Sequence, residues 1–501
     1  MRDVRAKAVG FIRNPIWCGT LILSGLLSIG AVVLGVRQIS CVHPGPAIAV
    51  GGLAMVVLMV GWVIGDLWRA HYSPPARVLG LELLFNRWQA FEPKERDSVI
   101  LYEQIMIALS IAELAYKRFD EISFIKTFPG TKIKSGTFLL QPGQDSPLVL
   151  KFDRVANIEQ EQDRYTHCVA GRLGLVPGEP RVPPQRYGKI QGKDWGAIAY
   201  SLVGGSRNDL GRLQTFGEYY IMHDNPQQIE NVLKKIFEAL NPWWGNPRWE
   251  NNRCAHWRRD TLYDEYDRLT RKQHQMQSGI ARVGQVMQIE TLQNTTANHR
   301  YVDLDPDLGL RNPLNWVRDI FWAQQLDEWV TQGWLRRDSI VHGDFHAGNV
   351  LISEDNYGQL RVWVIDFPHT HAGPTVQDIA RLEADIKFGL LPNDTLKDLS
   401  IHDMHNFETD LLPESDWLTP PIAALTPNQE ETTNEQLQKA WKAVCLLRSE
   451  APKYMAGNDA RPYYLALLHA TLPVLYYRDR SPWQKLYAFI SAALLCQRLG
   501  G

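Results

Sequence analysis

Cysteine is scarce in this chain. Six are scattered through 501 residues (Cys18, Cys41, Cys168, Cys254, Cys445 and Cys496), and no two form a C-x-x-C pair. That spacing argues against a zinc site and against a disulfide framework. A surplus of positive charge is also missing, since Lys+Arg 53 against Asp+Glu 55 leaves a formal net charge of −2. A dedicated nucleic-acid binder would carry a basic excess to neutralise phosphates. Low-complexity tracts and internal repeats are lacking too. With 45% hydrophobic and 22% charged residues, wholesale disorder is excluded. The length suggests two or three structural units.

What is present begins with two apolar runs. Ile16 to Val36 is 21 residues without a charge, and Pro46 to Gly65 is 20. At about 1.5 Å rise per residue, each reaches roughly 30 Å as a helix, one hydrocarbon thickness. Arg37 to Gly45 is a short connector. The pattern predicts a transmembrane helical hairpin within residues 1–70, because helices satisfy their own backbone polar groups in lipid. A cleaved signal peptide and a buried soluble hairpin are the rival readings. Arg2, Arg5, Lys7 and Arg13 before the hairpin, with Arg69 and Arg77 after it, outnumber the connector's Arg37. Both ends should therefore face the cytoplasm, and so should everything that follows.

Beyond Ser73-Pro74-Pro75, residues 71–125 read as a helical juxtamembrane segment, with Ile100, Ile105, Leu109 and Ile111 on an apolar face. From about 126 the pattern changes to short strands, Thr137 to Gln141, Leu148 to Phe152 and Ala197 to Val203, with a helix from Asn157 to Leu173. Residues 206–335 read as mostly helical. Val350 to Ile352 and Val362 to Phe367 read as a strand pair, and the remainder is helical. A small sheet (126–204) followed by a helical mass (205–501) is an α+β order.

The segment that carries chemistry is Val341-His342-Gly343-Asp344-Phe345-His346-Ala347-Gly348-Asn349-Val350-Leu351-Ile352. Asp366 follows within Val364-Ile365-Asp366-Phe367. Phosphoryl transfer needs a carboxylate at the acceptor hydroxyl, oxygen ligands for Mg²⁺, and a cation on the phosphates. Asp344 in its loop suits the first role. Asn349 and Asp366 offer hard oxygens for the second, brought together by the strand pair. Lys151, alone among apolar residues in Leu148-Val149-Leu150-Lys151-Phe152, needs a partner or a function. The plainer reading is a lysine on the solvent face of an edge strand. For His342 and His346, bracing the loop is favoured over ligating a metal. His369 and His371 lack a ligand spacing.

This motif set resembles the aminoglycoside phosphotransferase and choline kinase family, which has a protein-kinase-like, two-lobed fold. The resemblance extends through Gly373-Pro374 and Asp378-Ile379-Ala380-Arg381-Leu382-Glu383. It implies that Asp344 is catalytic, that Asn349 and Asp366 bind Mg²⁺, and that Asp378 is structural. It further implies that Lys151 pairs with Glu161, rather than Glu159, to position ATP. Ser135 and Gly136 would approach phosphate, and Tyr200 to Leu202 would be the hinge that meets adenine. Pro368 departs from the protein-kinase pattern, which has glycine there. The stretch Val149 to Asp153, Glu161 to Tyr165 and Trp363 to Asp366 also looks like the bacterial ternary-complex-associated kinase-like branch, which implies protein partners.

The resemblance places the acceptor pocket in the helical insertion at 206–335. Its tryptophans (Trp243, Trp244, Trp249, Trp257, Trp316, Trp322) and the stretch Tyr263 to Arg268 read first as a helical core with solvated faces. As pocket residues they would suit a sugar or a cationic acceptor. The expectation is a membrane-anchored, cytoplasm-facing, ATP- and Mg²⁺-dependent phosphotransferase acting on a small-molecule hydroxyl. The alternative is a kinase-like nucleotide-binding scaffold in a multi-protein complex. No nucleic-acid partner is expected.

Overall fold

The computed structural model describes residues 77–79, 121–127, 136–142, 148–170, 187–190, 193–201, 213–245, 259, 261–305, 307–326, 337–354, 358–412, 434–456 and 459–500. All of these belong to the second of two units, residues 76–501. Both apolar runs of the N-terminus lie outside the described residues. Among the described residues, no helix is long and apolar enough to cross a membrane.

Six strands form the first layer: β1 (Arg77–Leu79), β2 (Glu121–Thr127), β3 (Gly136–Pro142), β4 (Leu148–Arg154), β5 (Tyr187–Ile190) and β6 (Lys193–Ser201). Their order is β1-β2-β3-β4-β6-β5, antiparallel except for β1 beside β2. Two of these strands correct the helical reading of residues 71–125. In β2, Ile122 and Phe124 alternate with Glu121 and Ser123, a period-two pattern that a strand satisfies and a helix does not. The rest of that segment lies outside the described residues.

Strand β4 is interior, not an edge. Lys151 stands between Thr137 of β3 and Ile198 of β6. Leu148, Val149 and Leu150 are all buried, so both faces of the strand are covered there. Helix α1 (Val155–Arg164) follows at once and continues as a π-helical turn through Val169. Its buried residues Val155, Ile158 and Glu161 recur every three positions, which puts Glu161 on the face turned inward.

The chain then builds the helical lobe. Strand β7 (Gln214–Thr215) leads into α2 (Phe216–Met222), started by a capping box between Thr215 and Glu218. Helix α3 (Pro226–Trp244) is followed by the short α4 (Leu262–Glu265) and α5 (Arg268–Arg271), then α6 (Gln273–Met287). A hairpin of β8 (Tyr301–Asp305) and β9 (Leu308–Arg311) corrects the mostly helical reading of this stretch. Its exposed–buried alternation is what a half-covered hairpin requires.

Strand β10 (Asp338–Val341) enters the motif loop, β11 (Val350–Glu354) and β12 (Leu360–Val364) leave it, and β13 (His371–Pro374) pairs back on β10. Helices α7 (Val376–Asp385), α8 (Ile401–Leu411), α9 (Glu435–Glu450), α10 (Arg461–Thr471) and α11 (Pro482–Leu499) complete the lobe. Helix α11 is buried on nearly every side from Gln484 to Cys496, which makes it the hub of the helical layer. Cys445 and Cys496 are buried free thiols, whereas Cys168 is disulfide-bonded.

Candidate active site

The motif loop is held from below by one carboxylate. Asp378, on the first turn of α7, accepts from His342 N at 2.7 Å, from Gly343 N at 2.9 Å and from Trp244 Nε1 at 3.2 Å. Asp378 is therefore the structural residue that the resemblance implies. His342 is braced as well. Its Nε2 donates to the Ile365 carbonyl at 2.9 Å, and its Nδ1 accepts from Asp344 N at 3.4 Å. Those two bonds fix the orientation of the ring. Gly343 has φ +78, and a Cβ there would stand 2.4 Å from the His369 carbonyl oxygen. Only glycine fits both conditions.

Register explains why Asn349 and Asp366 meet. Val350 pairs with Val364, and Ile365 N bonds the Asn349 carbonyl at 3.0 Å, so Asp366 follows directly beside Asn349. Asp366 has φ 75, a left-handed conformation just beyond β12, which ends three residues earlier than the sequence pattern suggests. Asn349 donates its Nδ2 to the Asp344 carbonyl at 2.9 Å, which leaves its Oδ1 as a free acceptor among the described residues.

The sheet delivers Lys151 to the same place. Its Nζ lies 2.6 Å from Glu161 Oε2 and 2.5 Å from Asp366 Oδ1. Tyr200 OH donates to Glu161 Oε1 at 2.6 Å. Burial disfavours the Lys151 ammonium, but Glu161 and Asp366 outweigh it and hold its pKa above the ordinary lysine range. Burial likewise works against the Asp366 carboxylate, and Lys151 reverses that effect to keep it below its usual value. Glu159 is exposed, so the helix offers Glu161 and not Glu159. Two further bonds from α1, Gln160 Nε2 to the Pro368 carbonyl (2.9 Å) and Arg164 to the Thr370 carbonyl (3.0 Å), pin the segment after Asp366. Phe367 is fully buried in a ring cluster of Tyr165, Tyr200, Trp243 and His342.

Asp344 is a third exposed and meets a partner that the sequence reading did not assign. Arg381 Nε lies 3.2 Å from its Oδ1. Burial opposes the carboxylate, yet Arg381, with His346, His369 and His342 nearby, holds its pKa well below the carboxylate range. The signal was available, because Arg381 stands three residues after Asp378 on α7 and so faces the same loop. A second pair was also missed. His371 Nε2 lies 2.9 Å from the buried Glu265 Oε1, while its Nδ1 lies 2.8 Å from the His369 carbonyl. Burial disfavours the imidazolium, but Glu265 raises the His371 pKa above its usual value. Glu265 in turn is drawn down to about 2 against its own burial.

The remaining sequence-derived residues fall as follows. Gly136 opens β3 opposite Phe152. Ser135 and Leu202 lie outside the described residues. Tyr200 ends in a side chain committed to Glu161, so its backbone alone is left for a hinge role. Trp243, Trp244 and Trp316 are core residues rather than pocket walls. Trp244 packs on Phe345 and bonds Asp378, and Trp316 Nε1 donates to the Gly500 carbonyl at 2.7 Å. Trp322 is exposed, and Trp249 and Trp257 lie outside the described residues. Among the described residues no cluster of His, Cys, Asp and Glu has the makings of a multi-ligand metal site.

Residues 267–475 match the model of a family described as "Ternary complex associated domain 9". The resemblance to the ternary-complex-associated branch thus holds over the motif loop and the helices around it. No curated protein matches the sequence. Solved structures with a similar backbone include a thermostable mutant of an aminoglycoside phosphotransferase in ternary complex with ADP and hygromycin B. It is 13% identical, covering 76% of this chain and 96% of that one, with a TM-score of 0.34. A Plasmodium vivax ethanolamine kinase is 11% identical over 80% and 89%, with a TM-score of 0.33. A microcompartment-associated aminopropanol kinase is 14% identical over 78% and 96%, with a TM-score of 0.32.

Proposed function

We propose that the chain is an ATP-dependent phosphotransferase that moves the γ-phosphoryl group of ATP to a hydroxyl of a small molecule. The observation that carries this reading is the convergence of Lys151, Glu161 and Asp366 within 2.6 Å, at the mouth of the loop that presents Asp344 and Asn349. Lys151 and Glu161 would position the phosphates of ATP. The backbone around Ser135 and Gly136 would approach them, and the stretch from Tyr200 to Leu202 would meet the adenine. Asn349 Oδ1 and the Asp366 carboxylate are hard oxygens that fit a Mg²⁺ ion shared with phosphates. When bound, that ion would neutralise charge on the β- and γ-phosphoryl oxygens.

Asp344 would accept a hydrogen bond from the acceptor hydroxyl and take its proton as transfer advances. Its depressed pKa keeps it ionised throughout the physiological range, so it orients the hydroxyl before it acts as a base. The Asp366–Lys151 contact is the one that must loosen when phosphate enters, because the same ammonium serves both.

Two wider elements belong to this proposal. The apolar runs 16–36 and 46–65 would anchor the enzyme in a membrane with the catalytic unit in the cytoplasm, which cell fractionation with protease protection would test. The family match at 267–475 favours a second reading, a nucleotide-binding component of a multi-protein assembly. Calorimetry on the full-length chain separates the two. Mg²⁺-dependent ATP binding is expected in wild type, retained in Asp344→Asn and lost in Asp366→Asn. Acceptor-dependent ADP release is expected to vanish in Asp344→Asn. A folded wild-type chain that binds no Mg-ATP would overturn the phosphotransferase reading, and binding with no turnover on any acceptor would favour the assembly component.

A further inference from the structure

Resting on the phosphotransferase reading, we infer that the acceptor carries an anionic group, a carboxylate or a phosphate monoester, beside the hydroxyl that Asp344 addresses. The His369 carbonyl lies against Gly343, next to Asp344. Two residues on, His371 is tied to Glu265 at 2.9 Å. That tie joins the end of α4 to β13, which pairs with the strand that enters the loop. The Tyr266 ring, in the α4–α5 connector, packs on His469 of α10 with ring centroids 5.1 Å apart, and α10 lies along α7, which carries Arg381. The next side chain of the connector to matter is Arg268, at the start of α5.

Arg268 is half-buried, and its guanidinium has no hydrogen-bond or ion-pair partner among the described residues. Its neighbours show that this is not for want of acids. Asp267 is taken by Arg271 at 2.8 Å and approached by Arg259 at 3.8 Å. Glu265 is taken by His371 and Gln377. Asp385 is taken by Arg480 and by Ala347 N. Those three carboxylates are thus engaged, as Asp344 is by Arg381, while Arg268 has open donors among the described residues. Arg381 spends only Nε on Asp344, and its terminal nitrogens have no acceptor among the described residues.

Both guanidinium groups act electrostatically on the same neighbours. Burial pushes the His469 pKa down to about 3, and Arg268 and Arg381 both add to that effect against Glu265. Tyr476 feels the same two arginines, and His369 feels Arg268. A cationic acceptor at Asp344 would meet Arg381, already beside that carboxylate with its terminal nitrogens open, and the unpartnered Arg268 of the connector, a like-charge arrangement that rejects it. A carboxylate or phosphate offers each guanidinium the bidentate partner it lacks.

The test uses the full-length chain loaded with Mg²⁺ and AMP-PNP, so that the nucleotide and its γ-position are filled. Calorimetric titration compares glycerol 3-phosphate, glycerate, glycerol and 1-amino-2-propanol, four small alcohols that differ in charge. Saturable binding is expected for an anionic member and for neither of the others. Glycerol 3-phosphate alone would mark a phosphate-bearing acceptor, and glycerate a carboxylate-bearing one. Arg268→Gln should weaken that binding at least tenfold, Arg268→Lys by less, and Arg271→Gln not at all. The inference is overturned if 1-amino-2-propanol binds as well as the anions, if no anion binds, or if anion binding survives Arg268→Gln. Failure of AMP-PNP itself to bind would be seen first, and it would strike the phosphotransferase reading on which this one stands.

Discussion

Two backbone conformations decide the shape of the site at the scale of single residues. Gly343 and Asp366 both have positive φ, at +78 and 75. Asp is one of the few side chains that tolerates this region, so Asp366 reaches the site at modest cost. Gly343 has no such latitude. Gly343→Ala should lose about 1–2 kcal/mol from the left-handed conformation alone, and the contact with the His369 carbonyl adds to it. Urea denaturation would read this loss, together with a fall in turnover because Asp344 is the next residue. Unchanged stability in Gly343→Ala would mean that the loop adopts another conformation. Most of the residues that converge at the candidate site were legible in the sequence. Asp344, Asn349, Asp366 and Lys151 stand in a pattern whose spacing has few other uses. Arg268 and Arg381 were not legible as related residues, because 113 positions separate them in the chain. The tryptophans misled in one respect only: Trp243 and Trp244 are large and adjacent, and the helix that carries them turns both into the core.

At the scale of elements, the link between α4 and β13 is a charged pair in a buried place. His371 has a folded pKa above its usual value near 6.5, and Glu265 is lowered from 4.5 to about 2. The imidazolium therefore contributes stability that is fully present below about pH 6.5 and lost as pH rises through the raised folded value. Glu265 contributes above about pH 4.5 and loses that contribution as pH falls towards 2. Between those limits the pair is at full strength. The melting temperature of His371→Asn should fall furthest below wild type near pH 5–6, and the gap should narrow above neutrality. A gap independent of pH would show that His371 serves only by packing. Element boundaries were less legible than element types. Strand β2 was taken for helix, and the β8–β9 hairpin was missed, since both are short and lie beside longer helical patterns. Neither displaces the site, because the strands that carry Lys151 and Asp366 were read within a few residues of their true ends.

For the molecule as a whole, the helical lobe is centred on a buried network of charges. Arg448 bonds Glu383 at 2.8 and 2.5 Å, Lys387 bonds Glu408 at 2.5 Å, and Tyr463, Tyr487 and Ser491 complete the carboxylates. Helices α7, α8, α9, α10 and α11 all contribute. Glu383 is fully buried, so Glu383→Ala leaves Arg448 uncompensated and should cost about 3–5 kcal/mol. Glu230→Gln, which breaks an exposed pair with Lys234, should move the denaturation midpoint little. Equal effects of the two substitutions would show that the network is solvated in solution. The α+β order and the division into a sheet and a helical mass were legible from composition and periodicity. This network was not, because it is assembled from five helices whose sequence patterns are separately ordinary.

The carboxylate of Asp378 has a consequence for the order of events in folding. It joins donors 134, 36 and 35 positions away in the chain, at Trp244, His342 and Gly343. Closing loops of that length is slow compared with forming local helices or hairpins. The β2–β3 and β3–β4 hairpins and helix α1 directly after β4 have short connections and are assembled sooner. The chain should therefore pass through a stage with most of its secondary structure in place but with no shaped motif loop. Catalytic competence would then be among the last properties to be recovered in refolding.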